Sequence, residues 1–216
     1  MDFLAAREQM VTQQIRTWAV LDERVLAALR EVPREDFVPE AYRHLAFADT
    51  HLPLSHSQVM LAPNLAGKIL DALAIQPKDQ VLLIGADGGH LAACLSLLAG
   101  KVRVMEYHPD LTEQARQNLR KTACNNLSIE SGDATQLDLE QAYDVIILTG
   151  SLPVYDERYQ RALKTGGRLF VVVGRQLPME ALRITRTAAQ TWQRDSLFET
   201  ELPALPNSET PAPFIF

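Results

Sequence analysis

The feature that most constrains this 216-residue chain is the stretch from 80 to 106, QVLLIGADGGHLAACLSLLAGKVRVME. An apolar run precedes a glycine-rich turn, an apolar helical segment and a second apolar run that ends in Glu106. A strand, a tight turn, a helix and a second parallel strand that ends in an acid form the first half of a nucleotide-binding α/β unit. Because the glycines let the backbone approach a ligand and the acid can accept hydrogen bonds from ribose hydroxyls, the sequence predicts a cofactor site here.

Strand and helix patterns alternate along the rest of the chain. Segment 155–164 predicts a helix that ends at Gly166 and Gly167. Further strands are predicted over 127–131, 144–150, 168–174, 181–188 and 197–205. We expect the last two to be antiparallel, so the pattern favours a doubly wound, mostly parallel seven-stranded sheet with an antiparallel edge.

The N-terminal part reads as a helical cap. Segment 2–17 predicts an amphipathic helix, and Asp22 is the expected N-cap of a second helix. The expected apolar stripe of the first helix is Phe3, Leu4, Met10, Val11 and Ile15. The irregular stretch 33–63 is long, and long ordered loops are often functional. We therefore expect a single domain over 1–216, with cap helices and a substrate loop over 1–63 and a core over 64–216.

Composition argues against several classes of function. The net charge of −6 disfavours broad attraction to nucleic acid or to an anionic membrane surface. No stretch is apolar enough over 18 residues to predict a membrane span. Cys94 and Cys124 do not make a disulfide framework, and the five histidines lack metal-ligand spacing. These features favour a reducing, cytoplasmic location and predict no metal site.

A series of motifs carries a resemblance to a known family. In chain order they are DERVLAALREVPREDFVPE, RHLAFAD, LPLSHSQ, VLLIGADGG, VRVME, SGDAT, YDVIILTG, LKTGGRLFVVVG and LPAL. Each motif is weak alone, but with this order and spacing the chain resembles the protein-L-isoaspartate (D-aspartate) O-methyltransferases over nearly its whole length. These are class I S-adenosylmethionine-dependent methyltransferases with a Rossmann-like core. The resemblance implies S-adenosylmethionine as cofactor, methyl transfer to isoaspartyl residues of damaged proteins, and a monomer or weak dimer that acts on a protein or peptide.

The resemblance also assigns roles at the cofactor site. Gly85 and Gly89 would shape the turn beside the methionine portion of the cofactor, and Glu106 would bind the ribose hydroxyls. Asp133 would meet the adenine amino group with Ala134 nearby, and Thr149 would line the floor of the site. From the residues alone, bland alternatives stay open: an ordinary strand-to-helix turn, a helix-capping role for Glu106, and a turn role for Asp133.

The glycine-rich motif departs from the family pattern at two positions. The family has an acid where this chain has Leu83, and a glycine where it has Asp87. Aspartate tolerates a left-handed backbone better than most residues. Its carboxylate could replace the missing acid near the cofactor's ammonium group, so Asp87 joins the predicted cofactor residues.

The loop departs further. Where the family has G-x-G-Q-T-I-S-x-P, this chain has SHSQVMLAP over 55–63, which places Leu61 at the serine and Val59 at the threonine. The catalytic residue is therefore left open, with Ser57 and Gln58 as nearby candidates. Two alternatives to isoaspartyl methylation follow: an impaired relative that binds cofactor or a partner without this activity, and a methyltransferase with a different acceptor. A dinucleotide oxidoreductase fits less well.

Overall fold

The computed structural model describes residues 2–137 and 142–210. Its helices are α1 (Phe3–Gln9), α2 (Glu23–Glu31), α3 (Pro63–Leu73), α4 (His90–Leu98), α5 (Pro109–Leu119) and α6 (Glu157–Arg161). Its strands are β1 (Leu52–Pro53), β2 (Val59–Met60), β3 (Gln80–Ile84), β4 (Lys101–Glu106), β5 (Leu127–Ser131), β6 (Tyr143–Leu152), β7 (Leu163–Val173), β8 (Met179–Ala188) and β9 (Thr191–Thr200). No helix among these residues is both long enough and apolar enough to cross a membrane.

Seven of the strands form one sheet in the order β5-β4-β3-β6-β7-β8-β9. The pairs from β5 to β7 are parallel, and β7, β8 and β9 are antiparallel. The predicted sheet is therefore confirmed. The order reverses direction between β3 and β6, and ligands of such sheets bind at the carboxyl ends of the strands beside this reversal. Strands β1 and β2 form a separate small antiparallel pair.

The central strand β3 shows why the sheet has two cores. Residues 81–84 are all buried, as expected for a parallel strand that is covered on both faces. Successive side chains of a strand point to opposite faces. Accordingly, Leu83 packs in the cluster that includes the N-terminal helices, and Leu82 packs in the cluster on the other face. Leu83 is apolar and completely buried, so this position presents no polar group to a ligand.

The N-terminal helices begin largely where the sequence predicts. The Asp22 side chain accepts a hydrogen bond from the Arg24 amide and caps α2, as predicted. Segment 2–17 is not one regular helix, because α1 ends at Gln9 and a wider π-helical segment follows. The assignment of Leu4 to the apolar stripe is wrong, since 73% of this residue is exposed. The division of the domain at residue 63 stays a prediction.

Several boundaries of the C-terminal half differ from the prediction, most of all at α6, β7 and β9, the last of which ends at Thr200 and not at 205. Helix α6 ends at Arg161, and Gly166 and Gly167 lie inside β7 instead of ending a helix. The register between β6 and β7 shifts here, and Gly166 has a φ of +83°, so these glycines form an irregularity in the strand. Strand β9 starts at Thr191, earlier than predicted, because its polar residues suit an exposed edge.

Candidate active site

Two cavities lie side by side at the carboxyl edge of the sheet. The first, here called the β4 cleft, is lined by Gln58, Ile84, Gly85, Met105, Glu106, Tyr107, Gly132, Ala134, Tyr159, Leu205 and Pro206. The second, the β7 groove, has a volume of about 600 Å³ and is lined by His51, Val59, Ser151, Pro153, Gly174, Arg175, Met179, Glu201, Leu202, Pro203 and Ala204. Gln58 and Leu205 line the β4 cleft, and their sequence neighbours Val59 and Ala204 line the β7 groove. The segments 58–59 and 204–205 therefore form a wall between the two cavities.

Glu106 is the charged group of the β4 cleft. It ends β4 and is only 5% exposed. One carboxylate oxygen accepts a hydrogen bond from the Ala86 amide at 2.8 Å, and the other accepts from the His108 amide at 2.9 Å. Each carboxylate oxygen has a second lone pair, so Glu106 keeps the capacity to accept from ligand hydroxyls. His108 is the N-cap residue of α5, so Glu106 also helps to fix the start of this helix. The helix-capping alternative for Glu106 therefore holds in part.

Gly85 forms the tight turn at the end of β3. Its φ of +89° is strained for any residue with a side chain, and an added Cβ would lie 1.9 Å from Thr149 Oγ1. The Thr149 hydroxyl donates to the Ile84 carbonyl at 3.1 Å and is buried beneath the turn. Thr149 therefore supports the floor of the turn, although it does not line the β4 cleft itself.

The predicted adenine-binding region lies after β5. Gly132 and Ala134 line the β4 cleft on either side of Asp133. The Asp133 carboxylate accepts from the Thr135 amide, the Thr135 hydroxyl and the Asn207 side-chain amide. Burial alone would raise the pKa of Asp133, but these hydrogen bonds lower it, so the carboxylate is ionised at neutral pH. Asp133 borders the cleft and orders the residues that line it.

Gly89 lies in the turn, packed against α5 and the N-terminal segment. Its φ is +99°, and an added Cβ would lie 3.2 Å from the Ala115 carbonyl and close to Leu119 and Phe37. The glycine therefore lets α5 and the N-terminal segment pack against the turn. It shapes the turn without lining the cleft.

Asp87 turns away from the β4 cleft. It adopts a left-handed φ of +51° and is 3% exposed. One carboxylate oxygen accepts from the Leu61 amide at 2.6 Å. Burial raises the pKa of Asp87 to about 6, although the buried Arg34 guanidinium opposes this shift. The sequence could not reveal this contact, because residues 61 and 87 share no motif.

The loop places its residues unevenly around the two cavities. Gln58 lines the β4 cleft and Val59 lines the β7 groove. Leu61, at the position of the family serine, is completely buried in the core and lines neither cavity. The leucine in place of the family serine therefore removes a hydroxyl group from the loop and adds apolar packing beneath it.

His56 has an acidic partner that the sequence did not indicate. Its Nε2 lies 2.9 Å from an oxygen of Asp110, 54 residues away. Its ring also stacks on His108, with ring centres 3.9 Å apart. These contacts hold the loop against the start of α5, beside the rim of the β4 cleft. No cluster among residues 2–137 and 142–210 has the His, Cys, Asp and Glu content of a metal site.

Ser57 occupies a left-handed backbone position, with a φ of +57°. A residue with a Cβ loses about 1–2 kcal/mol in this conformation, and glycine does not. After the extra flexibility of glycine in the unfolded chain is subtracted, we expect Ser57→Gly to raise the free energy of unfolding by about 0.5 kcal/mol. Urea denaturation measures this change. Ser55→Gly is the matched control and should lower stability instead, because Ser55 has no positive φ.

Comparison with known proteins gives a consistent result. The family model for protein-L-isoaspartate(D-aspartate) O-methyltransferase matches residues 5–201. Protein-L-isoaspartate O-methyltransferase 1 of Rhodopseudomonas palustris (strain HaA2) is 35% identical over 96% of this chain and 85% of its own length. The Methanoculleus marisnigri protein-L-isoaspartate O-methyltransferase is 38% identical over 78% of this chain and 77% of its own length.

Solved structures agree on the fold. A Plasmodium falciparum beta-aspartate methyltransferase (PCMT) in complex with S-adenosyl-L-homocysteine superposes with a TM-score of 0.82, at 18% identity, and covers 94% of this chain and 99% of that one. A second protein-L-isoaspartate O-methyltransferase structure gives a TM-score of 0.81 at 22% identity, over 94% of this chain and 67% of that one. The chain has the fold of these enzymes and belongs to the protein-L-isoaspartate (D-aspartate) O-methyltransferase family.

Proposed function

We propose that this chain is an S-adenosylmethionine-dependent carboxyl O-methyltransferase that acts on isoaspartyl residues of proteins or peptides. The observation that carries the proposal is the buried Glu106 carboxylate at the end of β4, beside the tight turn at Gly85. An acid after the second strand and a close backbone turn after the first are the two elements that a nucleoside cofactor needs. Family membership specifies which cofactor and which reaction.

The residues of the β4 cleft fit the cofactor in kind. Glu106 can accept from ribose hydroxyls, and Ala134, Met105 and Tyr159 offer mainly apolar walls for a base. The cleft volume is about 20 Å³, roughly the room of one water molecule. Ligand sites are typically about 300–1,000 Å³. Binding would therefore require the Gln58 side chain and the Leu205–Pro206 segment to move away from the ends of the strands, which would also open the wall toward the β7 groove.

The β7 groove is the proposed acceptor site. It adjoins the β4 cleft across the wall of segments 58–59 and 204–205, which brings an acceptor close to the donor. Arg175 supplies a cation for an acceptor carboxylate, and Val59 and Met179 supply apolar surface. Burial lowers the pKa of His51, which also lines the groove, so its imidazole is neutral at pH 7.

The reaction makes modest chemical demands on the protein. The cofactor supplies a methyl group on a sulfonium, and this group passes to a carboxylate oxygen. A carboxylate is already ionised at neutral pH, so no strong general base is needed. The residues at the wall would hold the two partners in line and exclude water, a contribution that can supply much of the rate enhancement.

The direct test is transfer of a labelled methyl group. The protein is incubated with methyl-labelled S-adenosylmethionine and an isoaspartyl peptide, with the matching aspartyl peptide as the control substrate. We expect base-labile label on the isoaspartyl peptide only. Absence of label beside an active family enzyme would contradict the proposal.

A second candidate is a relative that binds the cofactor without methylating isoaspartyl peptides. The buried Leu61 at the family serine position favours it. Calorimetry with S-adenosylmethionine and S-adenosylhomocysteine separates the candidates, because binding of both without transfer supports this reading. The cytoplasmic location stays a prediction.

A further inference from the structure

Both backbone polar groups of Leu61, its amide and its carbonyl, are held by buried charged side chains. Asp87 accepts from the Leu61 amide at 2.6 Å, and Arg34 Nη2 donates to the Leu61 carbonyl at 2.6 Å. We call Arg34, Asp87 and Leu61 the Leu61 clamp. Hydrogen bonds to ionised groups are shorter and stronger than neutral ones. The clamp therefore fixes this part of the loop more firmly than an ordinary turn would.

Burial makes the clamp costly to maintain. Arg34 is 0% exposed, and its Nε donates to the Ala46 carbonyl at 2.8 Å. Asp87 is 3% exposed, and hydrogen bonds from the Leu61 and Leu91 amides oppose the rise that burial causes in the pKa of its carboxyl. Buried charges are tolerated when they are paired and hydrogen-bonded, and here the opposite charges contact the backbone of a single residue.

The backbone conformation alone does not require an aspartate at this position. The residue adopts a φ of +51°, where glycine is unstrained. Unfavourable backbone conformations concentrate at functional sites. The combination of a positive φ and a buried carboxylate in one residue thus points to a role beyond folding.

The clamp joins the two halves of the site. Asp87 lies two residues after Gly85, which lines the β4 cleft, and Leu61 lies two residues after Val59, which lines the β7 groove. Movement of the Leu61 peptide would be transmitted along β2 to Gln58 and Val59. These two residues form one side of the wall.

We propose that Asp87 and Arg34 are positioning residues, which hold the Leu61 backbone and thereby keep the backbone of Gln58 and Val59 in the wall between the β4 cleft and the β7 groove. The kinetic consequence rests on the proposed function, whereas the structural consequence does not. Neither side chain lines the β7 groove. Asp87 would instead set the affinity for the acceptor through the loop.

Amide hydrogen exchange tests the structural part. In Asp87→Gly, which introduces a residue suited to the left-handed backbone, we expect exchange at Leu61 and Gln58 to rise at least tenfold. The Ala86 amide, which is bonded to Glu106, should keep its rate and serve as an internal reference. Asp71→Asn is the matched control, because the Asp71 carboxylate accepts from the Leu21 and Asp22 amides away from the site. It should leave Leu61 and Gln58 unchanged.

Steady-state kinetics tests the functional part. We expect Asp87→Gly to raise the KM for the methyl acceptor about tenfold and to change S-adenosylhomocysteine affinity less than threefold. Asp87→Asn should give a smaller rise in KM, because its side-chain oxygen can still accept a hydrogen bond from the Leu61 amide. Unchanged exchange at either Leu61 or Gln58 overturns the proposal, as does faster exchange with an unaltered acceptor KM. If the unmodified protein transfers no methyl group, the proposed function fails. The exchange data alone then decide whether the clamp positions the loop.

Discussion

The Glu106→Gln variant should bind S-adenosylhomocysteine about 100-fold more weakly than the unmodified protein. A glutamine keeps the shape of the side chain but replaces one accepting oxygen by a donating NH₂ group. It also removes the charge that strengthens hydrogen bonds from ribose hydroxyls. Hydrogen bonds to charged groups contribute about 1.5–3 kcal/mol, and about 2.8 kcal/mol corresponds to a factor of 100 in affinity. Isothermal titration calorimetry measures the change.

The neighbouring strand offers a matched control for this variant. Glu130 lies on β5, is half-exposed and pairs with Arg103. Glu130→Gln removes the same charge a short distance from the cleft, so we expect its affinity to stay within threefold of the unmodified protein. Equal weakening in both variants would show that general electrostatics, and not the carboxylate at the end of β4, determines binding.

The Gly85→Ala variant should lose about 4 kcal/mol of unfolding free energy. The positive φ alone costs a residue with a Cβ about 1–2 kcal/mol. The new methyl group would also overlap Thr149 Oγ1, so Thr149 must move and give up its hydrogen bond to Ile84, at a further cost of about 1–3 kcal/mol. Urea denaturation monitored by circular dichroism measures the loss.

Gly166→Ala separates the two contributions. Gly166 has a similar φ of +83°, but nothing lies within 4 Å of the position of its added Cβ. This variant should therefore lose only the backbone contribution, about 1 kcal/mol. Similar losses in the two variants would mean that the contact with Thr149 relaxes freely, and the tight turn would then be less constrained than its geometry indicates.

The sequence predicted the architecture well because local patterns determine it. Continuous apolar runs such as the one at 81–84 report strands that are buried on both faces, and the alternation with helices reports a parallel sheet. The predicted cleft residues Gly85, Glu106 and Ala134 do come together, since each follows a parallel strand whose carboxyl end lies at the same edge.

The remainder of the site depends on contacts between distant residues. Asp87 reaches the loop at Leu61, and His56 reaches Asp110, although neither pair lies in a common motif. Leu61 is an apolar residue in a loop, and only the tertiary structure shows that it packs into the core. Periodicity carries no information on such contacts, because they are set by how the loop folds back onto the sheet.

The thinness of the wall between the two cavities restricts how this protein can diverge. At Gln58–Val59 and at Ala204–Leu205, adjacent residues of one backbone face different compartments. A mutation that enlarges one compartment there inevitably reshapes the other, so most such changes are pleiotropic. New selectivity for the proposed acceptor would arise more readily at Arg175 or Met179, which line the β7 groove and not the β4 cleft, so that variation there leaves the proposed donor compartment intact.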